Sequence, residues 1–333
     1  MKKYLALLLL LSLVLGLVAC GTNTPQNENT SNSDTITPAD TSTDTPADEN
    51  FAYKHVVIVG IDGMGTYHKG ADTPNIDRIF ADYALTDVAE TYRPVASGPC
   101  WQSLLCGADP QVMGLTVNVS TDPRAAQKYE RAMQKYPTLF KLFHNKYQDS
   151  SVASITGYAD WQESMTENEE FLYKELGYKE WWSTKENTER AVKYIEGLDT
   201  SKPSFTFVYY TEPDSTGHKK EWGSAEYNAA LTECDAGLGA IFDACEKKGM
   251  LEDTLFVLLT DHGGDGIKHG DVYTPAAIKI TLGFRGKTIN NVKDFEMIFR
   301  DAAAVIAEAL ELDTPAWAGL ENPPKVPEGL FKD

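Results

Sequence analysis

VVIVGI, at residues 56–61, is a short apolar run that ends at Asp62, and two further runs of this chain end in the same way. FTFVYYTEP at 205–213 precedes Asp214, and LFVLLT at 255–260 precedes Asp261. Their hydrophobic residues are continuous rather than alternating, which is typical of parallel strands buried on both faces. In open α/β sheets, ligands bind in the crevice outside the carboxyl ends of such strands. The three aspartates are therefore expected to converge on one site.

The rest of the chain alternates between strand-like and helical patterns. Strand-like runs lie at His55–Ile61, Val152–Ile155, Phe205–Tyr210, Leu255–Thr260 and Ala277–Leu282. Helical spacing of apolar residues covers Thr138–Tyr147, Lys185–Gly197, Ser224–Lys248 and Asp294–Leu310. Val88–Val95 is predicted to be extended, and 97–107 a turn that leads into a helix. This alternation predicts one α/β domain over 51–333, with a mostly parallel central sheet and helices on both faces.

The N-terminus has the pattern of a targeting segment. Two lysines precede the apolar stretch from Leu5 to Ala19, which is shorter than the roughly 20 residues of a spanning helix. Residues 1–19 therefore read as a secretory signal peptide. The sequence Leu17-Val-Ala-Cys20 resembles the lipobox of bacterial lipoproteins, in which the cysteine becomes the lipidated first residue. An ordinary signal peptide with an incidental cysteine stays open.

Residues 20–50 predict a tether between this segment and the folded domain. They are rich in Thr, Ser, Asn, Pro and acids, with no Lys or Arg, so they bury too little surface to fold. Together with a lipid on Cys20, this predicts a protein anchored to the membrane of a bacterial cell envelope and facing its extracytoplasmic side.

Composition restricts the partners of the chain. The formal net charge is −19, from 49 acidic and 30 basic residues, and no basic stripe appears. Binding of a nucleic-acid polymer is therefore not expected. A small phosphate ester is allowed, because bound divalent cations would reverse the local field. The remaining cysteines, Cys100, Cys106, Cys234 and Cys245, are expected to be buried free thiols.

The aspartates have neighbours of the kind that bind metals. Asp214 and His218 are four residues apart, so they share a face if the segment is helical. Asp261 is followed by His262, and His269 is close enough in sequence to return to the same centre. Three carboxylates and three imidazoles suit zinc, with manganese as another option, better than calcium. Six ligands exceed one tetrahedral ion, which indicates two ions.

Other interpretations of these residues stay open at this stage. Asp62 alone fits a loop acid that caps the next element, and its glycine-rich turn is neither GxGxxG nor a P-loop. Asp214 and His218 alone fit a surface ion pair. The remaining histidines, His55, His68 and His144, are interpreted as structural or solvated.

Ser97 is the candidate nucleophile. It lies at a turn that opens into a helix, where peptide N–H groups can hold an anion. A nearby metal can lower the pKa of a serine hydroxyl enough for it to attack. A serine in this position also fits an ordinary helix N-cap.

Taken together, these motifs resemble the alkaline phosphatase superfamily and, within it, the type I phosphodiesterase/nucleotide pyrophosphatase branch, as a compact bacterial lipoprotein member. The most specific motif is Glu212-Pro-Asp-Ser-Thr-Gly-His218, and Asp261-His-Gly263 is a second. The resemblance covers 55–282 and implies a small cap insertion near 157–185. It departs from the branch at Met113, where histidine is common, and at Gly264, where methionine is common.

The resemblance also implies roles for the site residues. Asp62, Ser97, Asp261 and His262 would surround one zinc, and Asp214, His218 and His269 would hold the other. Asn118, in the run Gly107-x-x-Pro-x-x-x-Gly-x-x-x-Asn, would contact a nonbridging phosphoryl oxygen.

The resulting hypothesis is a two-zinc hydrolase of phosphate diesters or nucleotide pyrophosphates that forms a covalent phosphoseryl intermediate on Ser97. A phosphomonoesterase is the alternative, if Arg93 or Lys219 reaches the extra charged oxygens. A sulfatase is disfavoured because Trp101 stands where a formylglycine motif has arginine. A catalytically silent binding lipoprotein is a further alternative. Four aromatic residues are candidates for base stacking or for packing the cap: Tyr158, Trp161, Trp181 and Trp182.

Overall fold

The computed structural model describes residues 53–118, 124–157, 165–176 and 182–332. The described part contains one seven-stranded sheet of order β2-β7-β6-β1-β5-β3-β4, in which only β7 runs antiparallel to the others. The predicted, mostly parallel α/β fold is thus confirmed. The strands are β1 His55–Ile61, β2 Ala84–Glu90, β3 Ser151–Thr156, β4 Leu172–Leu176, β5 Ser204–Tyr210, β6 Thr254–Leu259 and β7 Lys279–Arg285.

Helices cover both faces of the sheet, because each central strand sends alternate apolar side chains to opposite sides. In β1, Val56 and Ile58 join one core cluster, while Val57 and Val59 join the other. The described helices are α1 Pro74–Phe80, α2 Ser97–Cys106, α3 Pro110–Met113, α4 Ala125–Lys135, α5 Leu139–Lys146, α6 Thr184–Gly197, α7 Glu212–Lys220, α8 Ala225–Lys247, α9 Pro275–Ile278 and α10 Asp301–Ala309. Helices α2, α4, α5 and α10 pack on the Val56 side, and α1, α6 and α8 on the other.

The sheet order brings the three aspartate-bearing strands together. β1 lies between β5 and β6, with Ile61 beside Tyr210 and Gly60 beside Leu259. The carboxyl ends of these three strands are therefore level with one another. Asp62 and the segments leading to Asp214 and Asp261 leave the sheet at one edge.

Three sequence-based boundaries were wrong. The helix predicted over Asp294–Leu310 is only α10, because residues before it run along the edge strand β2, where Glu90 exchanges backbone hydrogen bonds with Met297 and Phe299. Asp294 itself has a φ of 51°, outside the helical region. The run Ala277–Leu282 begins as the short helix α9 and becomes strand only at Lys279. The extended segment predicted at Val88–Val95 is strand only as far as Glu90.

Several predictions concern residues outside the described ranges. The signal peptide, Cys20 and the tether lie there, as do parts of the range predicted as a cap. Within that range, Leu172–Leu176 forms the edge strand β4. Cys100, Cys106, Cys234 and Cys245 are buried and free, as predicted. Among the described helices, none has the length and apolar character needed to cross a membrane.

Candidate metal centre and nucleophile

The first cluster of polar side chains forms where β1, β6 and α2 meet. The Nε2 atom of His262 lies 3.4 Å from Asp62 Oδ1, 3.4 Å from Asp261 Oδ2 and 3.1 Å from Ser97 Oγ. Ser97 Oγ is also 3.4 Å from Asp62 Oδ1. Asp261 and His262 are fully buried, and Asp62 is 5% exposed. The structure therefore brings together all four residues that were assigned to one ion.

The second cluster lies beside the first, at the start of α7. Asp214 Oδ1 is 3.5 Å from His218 Nε2 and 3.4 Å from His269 Nε2, and the two Nε2 atoms are 3.1 Å apart. The two clusters touch, since the rings of His262 and His269 stack with centroids 3.9 Å apart. Ligand atoms of Asp214, His262 and His269 also form a group compact enough for one ion. His262 thus lies at the boundary between the two positions.

The backbone fixes the direction in which each imidazole points. The Nδ1 atoms lie 2.9 Å from Ile267 O for His218, 2.9 Å from Gly263 O for His262 and 2.8 Å from Val95 O for His269. A carbonyl oxygen only accepts, so each Nδ1 carries a proton, and in the neutral form of each imidazole Nε2 presents the lone pair. Such second contacts orient the imidazoles of metal sites.

Atoms that can each offer a lone pair to a cation therefore converge. His218 Nε2 and His269 Nε2 face each other beside a carboxylate oxygen, an arrangement that is repulsive unless a cation lies among them. Asp214 Oδ1 and Asp261 Oδ2 are buried and have no hydrogen-bond partner among the described residues. Buried polar atoms of this kind require a partner. The donor set fits divalent cations, and its mixture of nitrogen and oxygen ligands fits zinc.

Burial also perturbs the protonation of the site. Burial raises the pKa of Asp62 well above its usual range, and the neighbouring Asp261 and Asp214 carboxylates raise it further. Burial likewise raises the pKa of Asp261 to about 7 and that of Asp214 above its usual value. Burial lowers the pKa of His269 to about 2, which keeps this imidazole neutral. Without a cation, burial favours the protonated form of these carboxyl groups and the neutral form of His269.

Two glycines allow the loops to pack this closely. Gly63 has a φ of 69°, and a Cβ on it would lie 2.9 Å from Asp214 Cα. A Cβ on Gly263 would lie 2.1 Å from Ala276 O. The Gly63 N–H also donates to Asp261 Oδ1 at 3.1 Å. The glycines beside Asp62 and His262 therefore permit approach distances that a side chain would prevent.

Ser97 is the first residue of α2, and it does not cap the helix. The N-cap position is Ala96, and no side chain caps this end. The Ser97 hydroxyl instead contacts Asp62 and His262, which places it in the polar cluster. The N–H of Gly98 donates to Asn118 Oδ1 at 2.8 Å, so the Asn118 amide lies directly beside the start of α2. This contact directs the oxygen of the amide to the backbone and leaves its NH₂ group as the donor.

Sequence reasoning missed two residues that support the centre. The Tyr209 hydroxyl donates to Asp62 Oδ2. The indole of Trp222 donates to Gly63 O at 2.8 Å and lies edge-on to His218 with centroids 5.1 Å apart. Side chains alternate between the two faces of β5, and Tyr209 lies on the face that α2 covers. This alternation could have indicated that Tyr209 lies near the start of α2. No motif pointed to Trp222.

The other candidates have contacts of their own. His55 bonds to Ser204 Oγ, and His68 pairs with Asp87, so both are structural as predicted. His144 stacks on Phe171. The Arg93 guanidinium lies over the ring of Tyr273, 5.1 Å from its centroid, and Lys219 is exposed. Trp182 lies beneath Arg190, while Tyr158, Trp161 and Trp181 lie outside the described residues.

Comparison with known proteins places this chain in a family. The family model of the type I phosphodiesterase / nucleotide pyrophosphatase matches residues 56–306. A phosphopentomutase of Deinococcus radiodurans is 28% identical over 140 residues, which are 42% of this chain and 34% of that protein. Venom phosphodiesterase 2 of Crotalus adamanteus is 32% identical over 76 residues, which are 23% of this chain and 9% of the relative. The matched segments thus span about a third or less of these curated relatives.

Solved structures share the fold. Murine ectonucleotide pyrophosphatase / phosphodiesterase 5 aligns with a TM-score of 0.60 at 12% identity, over 78% of this chain and 95% of the murine one. Sulfatases are among the other structural neighbours. At these identities the structures support the architecture and not a substrate.

Proposed function

Because this chain belongs to the type I phosphodiesterase / nucleotide pyrophosphatase family, we propose that it is a metal-dependent hydrolase of phosphate diesters or nucleotide pyrophosphates with Ser97 as its nucleophile. The observation that carries this proposal is the convergence of three Nε2 atoms and three carboxyl groups beside the Ser97 hydroxyl, with each Nδ1 held by a backbone carbonyl. A hydroxyl that contacts ligand atoms, and not the helix N–H groups, is placed for chemistry.

Two divalent cations complete the proposal, and the mixed nitrogen and oxygen donor set favours zinc. Asp62, Asp261, His262 and Ser97 would hold one, and Asp214, His218 and His269 the other. When bound, such ions stabilise negative charge on the phosphoryl oxygens and favour the alkoxide form of the serine.

Ser97, Asn118 and Gly98 would each have a separate role in the reaction. Ser97 Oγ attacks phosphorus while the bond to the leaving oxygen breaks, which leaves a phosphoseryl enzyme that water then hydrolyses. The hydroxyl proton of Ser97 passes to water, and the leaving oxygen takes up a proton from water, so no proton is gained or lost overall. The Asn118 NH₂ group donates to a nonbridging oxygen, where negative charge increases in the transition state. Gly98 positions that amide through its oxygen.

Two competing activities differ in what they require near Ser97. Sulfatase chemistry needs arginine four residues after the nucleophile, and here Trp101 lies in the core, edge-on to Phe207, Tyr209 and Phe299. A phosphomonoesterase needs an added cation for a doubly charged ester. Arg93 packs on Tyr273, and the polar contacts of Ser97 within the described residues are Asp62 and His262. These contacts favour a diester over a monoester.

We further propose that the protein is exported through the signal at residues 1–19 and anchored in the cell envelope by a lipid on Cys20, with the acidic tether between membrane and enzyme. Its partners would be a small phosphate ester and the membrane. Labelling with a radioactive fatty acid tests the anchor, and Cys20→Ala should abolish the label.

Hydrolysis by the purified protein tests the proposed activity. An aryl phosphodiester and the corresponding aryl monophosphate are compared with zinc supplied and after chelation. Chelation and Ser97→Ala should each abolish turnover. Ser103→Ala is the matched control, since Ser103 lies in the same helix and donates to Cys100 O; this variant should remain active. Absence of hydrolysis of both esters with zinc present would overturn the proposal, and a higher rate on the monoester would replace it with the phosphomonoesterase.

A further inference from the structure

The backbone that leads into Asn118 is held by a side chain from outside the metal centre. Tyr129 lies on α4, and its hydroxyl donates to Val117 O at 3.1 Å. This oxygen belongs to the peptide group that joins Val117 to Asn118. The hydrogen bond therefore restrains the chain at the point where the Asn118 side chain leaves it.

Tyr129 and Asn118 both lie against Gly98, the residue that follows Ser97. A Cβ on Gly98 would lie 2.5 Å from the Tyr129 hydroxyl oxygen and 3.0 Å from Asn118 Oδ1. The absence of a side chain at this position lets the phenol and the amide approach the start of α2. The Gly98 N–H donates to Asn118 Oδ1 at 2.8 Å. The amide is thus restrained twice, by Gly98 at its oxygen and by Tyr129 through the backbone.

The Tyr129 hydroxyl is a buried, neutral donor. Tyr129 is fully buried, and its ring belongs to the core cluster on the Val56 side of the sheet. Burial raises the pKa of Tyr129 above its usual range, so the hydroxyl keeps its proton. A side chain that is closed to solvent does not reach a substrate. Any effect of this hydroxyl on a reaction at Ser97 therefore passes through the groups that it contacts.

We propose that Tyr129 is a positioning residue, whose hydroxyl holds the backbone of Asn118 so that the amide lies beside Ser97. This inference rests on the proposed function, in which the Asn118 NH₂ group donates to a nonbridging phosphoryl oxygen. Removing a donor of this kind costs about 10²–10³-fold in kcat. A displacement of about 1 Å can cost about 100-fold. Loss of the Tyr129 hydroxyl, which leaves the Gly98 contact in place, should cost about tenfold.

Tyr129→Phe tests the inference by kinetics and by NMR, because this variant keeps the ring that packs in the core. With zinc supplied, kcat for an aryl phosphodiester should fall about tenfold, while KM stays unchanged. The NH₂ resonance of Asn118 is identified in ¹⁵N-asparagine-labelled protein by its loss in Asn118→Ala. This resonance should shift in Tyr129→Phe. In the Asn118→Ala background, Tyr129→Phe should lower kcat less than twofold, because the two residues act as one unit.

Tyr53→Phe is the matched control. Tyr53 is also fully buried, and its hydroxyl contacts Thr288 Oγ1 at 2.9 Å and accepts from Thr288 N at 2.8 Å, before the start of β1 and away from the metal centre. This variant should change neither kcat nor the Asn118 resonance, although it too loses buried hydrogen bonds.

Three results would overturn the role of Tyr129. They are an unchanged kcat in Tyr129→Phe, an unmoved Asn118 resonance, and a tenfold loss that persists in the Asn118→Ala background. A wild-type protein without activity on either ester would instead overturn the proposed function, and the NMR comparison would still show whether Tyr129 positions Asn118.

Discussion

Replacing Tyr209 by phenylalanine removes the hydroxyl that donates to Asp62 Oδ2 and changes nothing else at that position. Tyr209 is 1% exposed, and burial raises its pKa well above the usual value, so the hydroxyl stays a neutral donor. A hydrogen bond to a charged group contributes about 1.5–3 kcal/mol. Without it, the ionised form of Asp62 that a cation requires becomes less favourable by that amount. We expect zinc affinity to fall about ten- to hundredfold.

Tyr210→Phe is the matched control for this prediction. Tyr210 follows Tyr209 in β5, is equally buried, and its hydroxyl contacts Thr188 Oγ1 at 2.6 Å on the opposite face of the sheet. Zinc affinity is measured by competition with a chelator of known affinity, and unfolding is followed separately. Both variants should lose stability, but only Tyr209→Phe should lose zinc affinity. Equal zinc affinity in the two variants would refute the positioning role of Tyr209.

Three further predictions follow from individual contacts. Gly263→Ala places a Cβ 2.1 Å from Ala276 O, so this variant should lose more than about 2 kcal/mol of unfolding free energy. Gly197→Ala is the control, because its added methyl group meets nothing within 4 Å and should not destabilise the protein. Denaturant unfolding compares the two variants. Burial lowers the pKa of His55 to about 4, so its stabilising effect is complete above pH 6.5 and is lost as pH falls towards 4. The stability difference between wild type and His55→Gln should accordingly shrink by about 2–3 kcal/mol between pH 7.5 and 4.5 in chemical denaturation. Because the pKa of Asp261 is raised to about 7, zinc binding at pH 6.5 should release protons, which calorimetry in buffers of different ionisation enthalpy detects; a buffer-independent heat would contradict this.

The part of the site that the sequence predicts is the set of aspartates that follow the ends of strands. Asp62, Asp214 and Asp261 each follow a buried parallel strand, and the carboxyl ends of parallel strands share one edge, so convergence followed from local sequence alone. The strand order β5-β1-β6 could not be predicted from local sequence, because it depends on how distant segments pack. The helical spacing of Asp214 and His218 was correct, since α7 places them one turn apart.

The unpredicted part depends on tertiary contacts. The residues before α10 have a helical pattern, yet they pair along β2, and these backbone hydrogen bonds outweigh helix propensity. Trp222 lies edge-on to the ring of His218 and donates a hydrogen bond to the backbone carbonyl of Gly63. Neither contact has a sequence motif. The orientation of His269 depends on Val95 O, a backbone atom that is distant in sequence.

The backbone contacts of the three histidines bear on whether the centre exists before a metal arrives. His218, His262 and His269 each donate Nδ1–H to a carbonyl, so their orientation does not depend on an ion. The buried carboxyl groups, in contrast, would be more fully ionised with a cation present, because the cation offsets the burial that raises their pKa values. Binding of a cation would therefore change the protonation of the centre more than its geometry. A centre of this kind gains stability from the ion according to its affinity, and it does so without a refolding step.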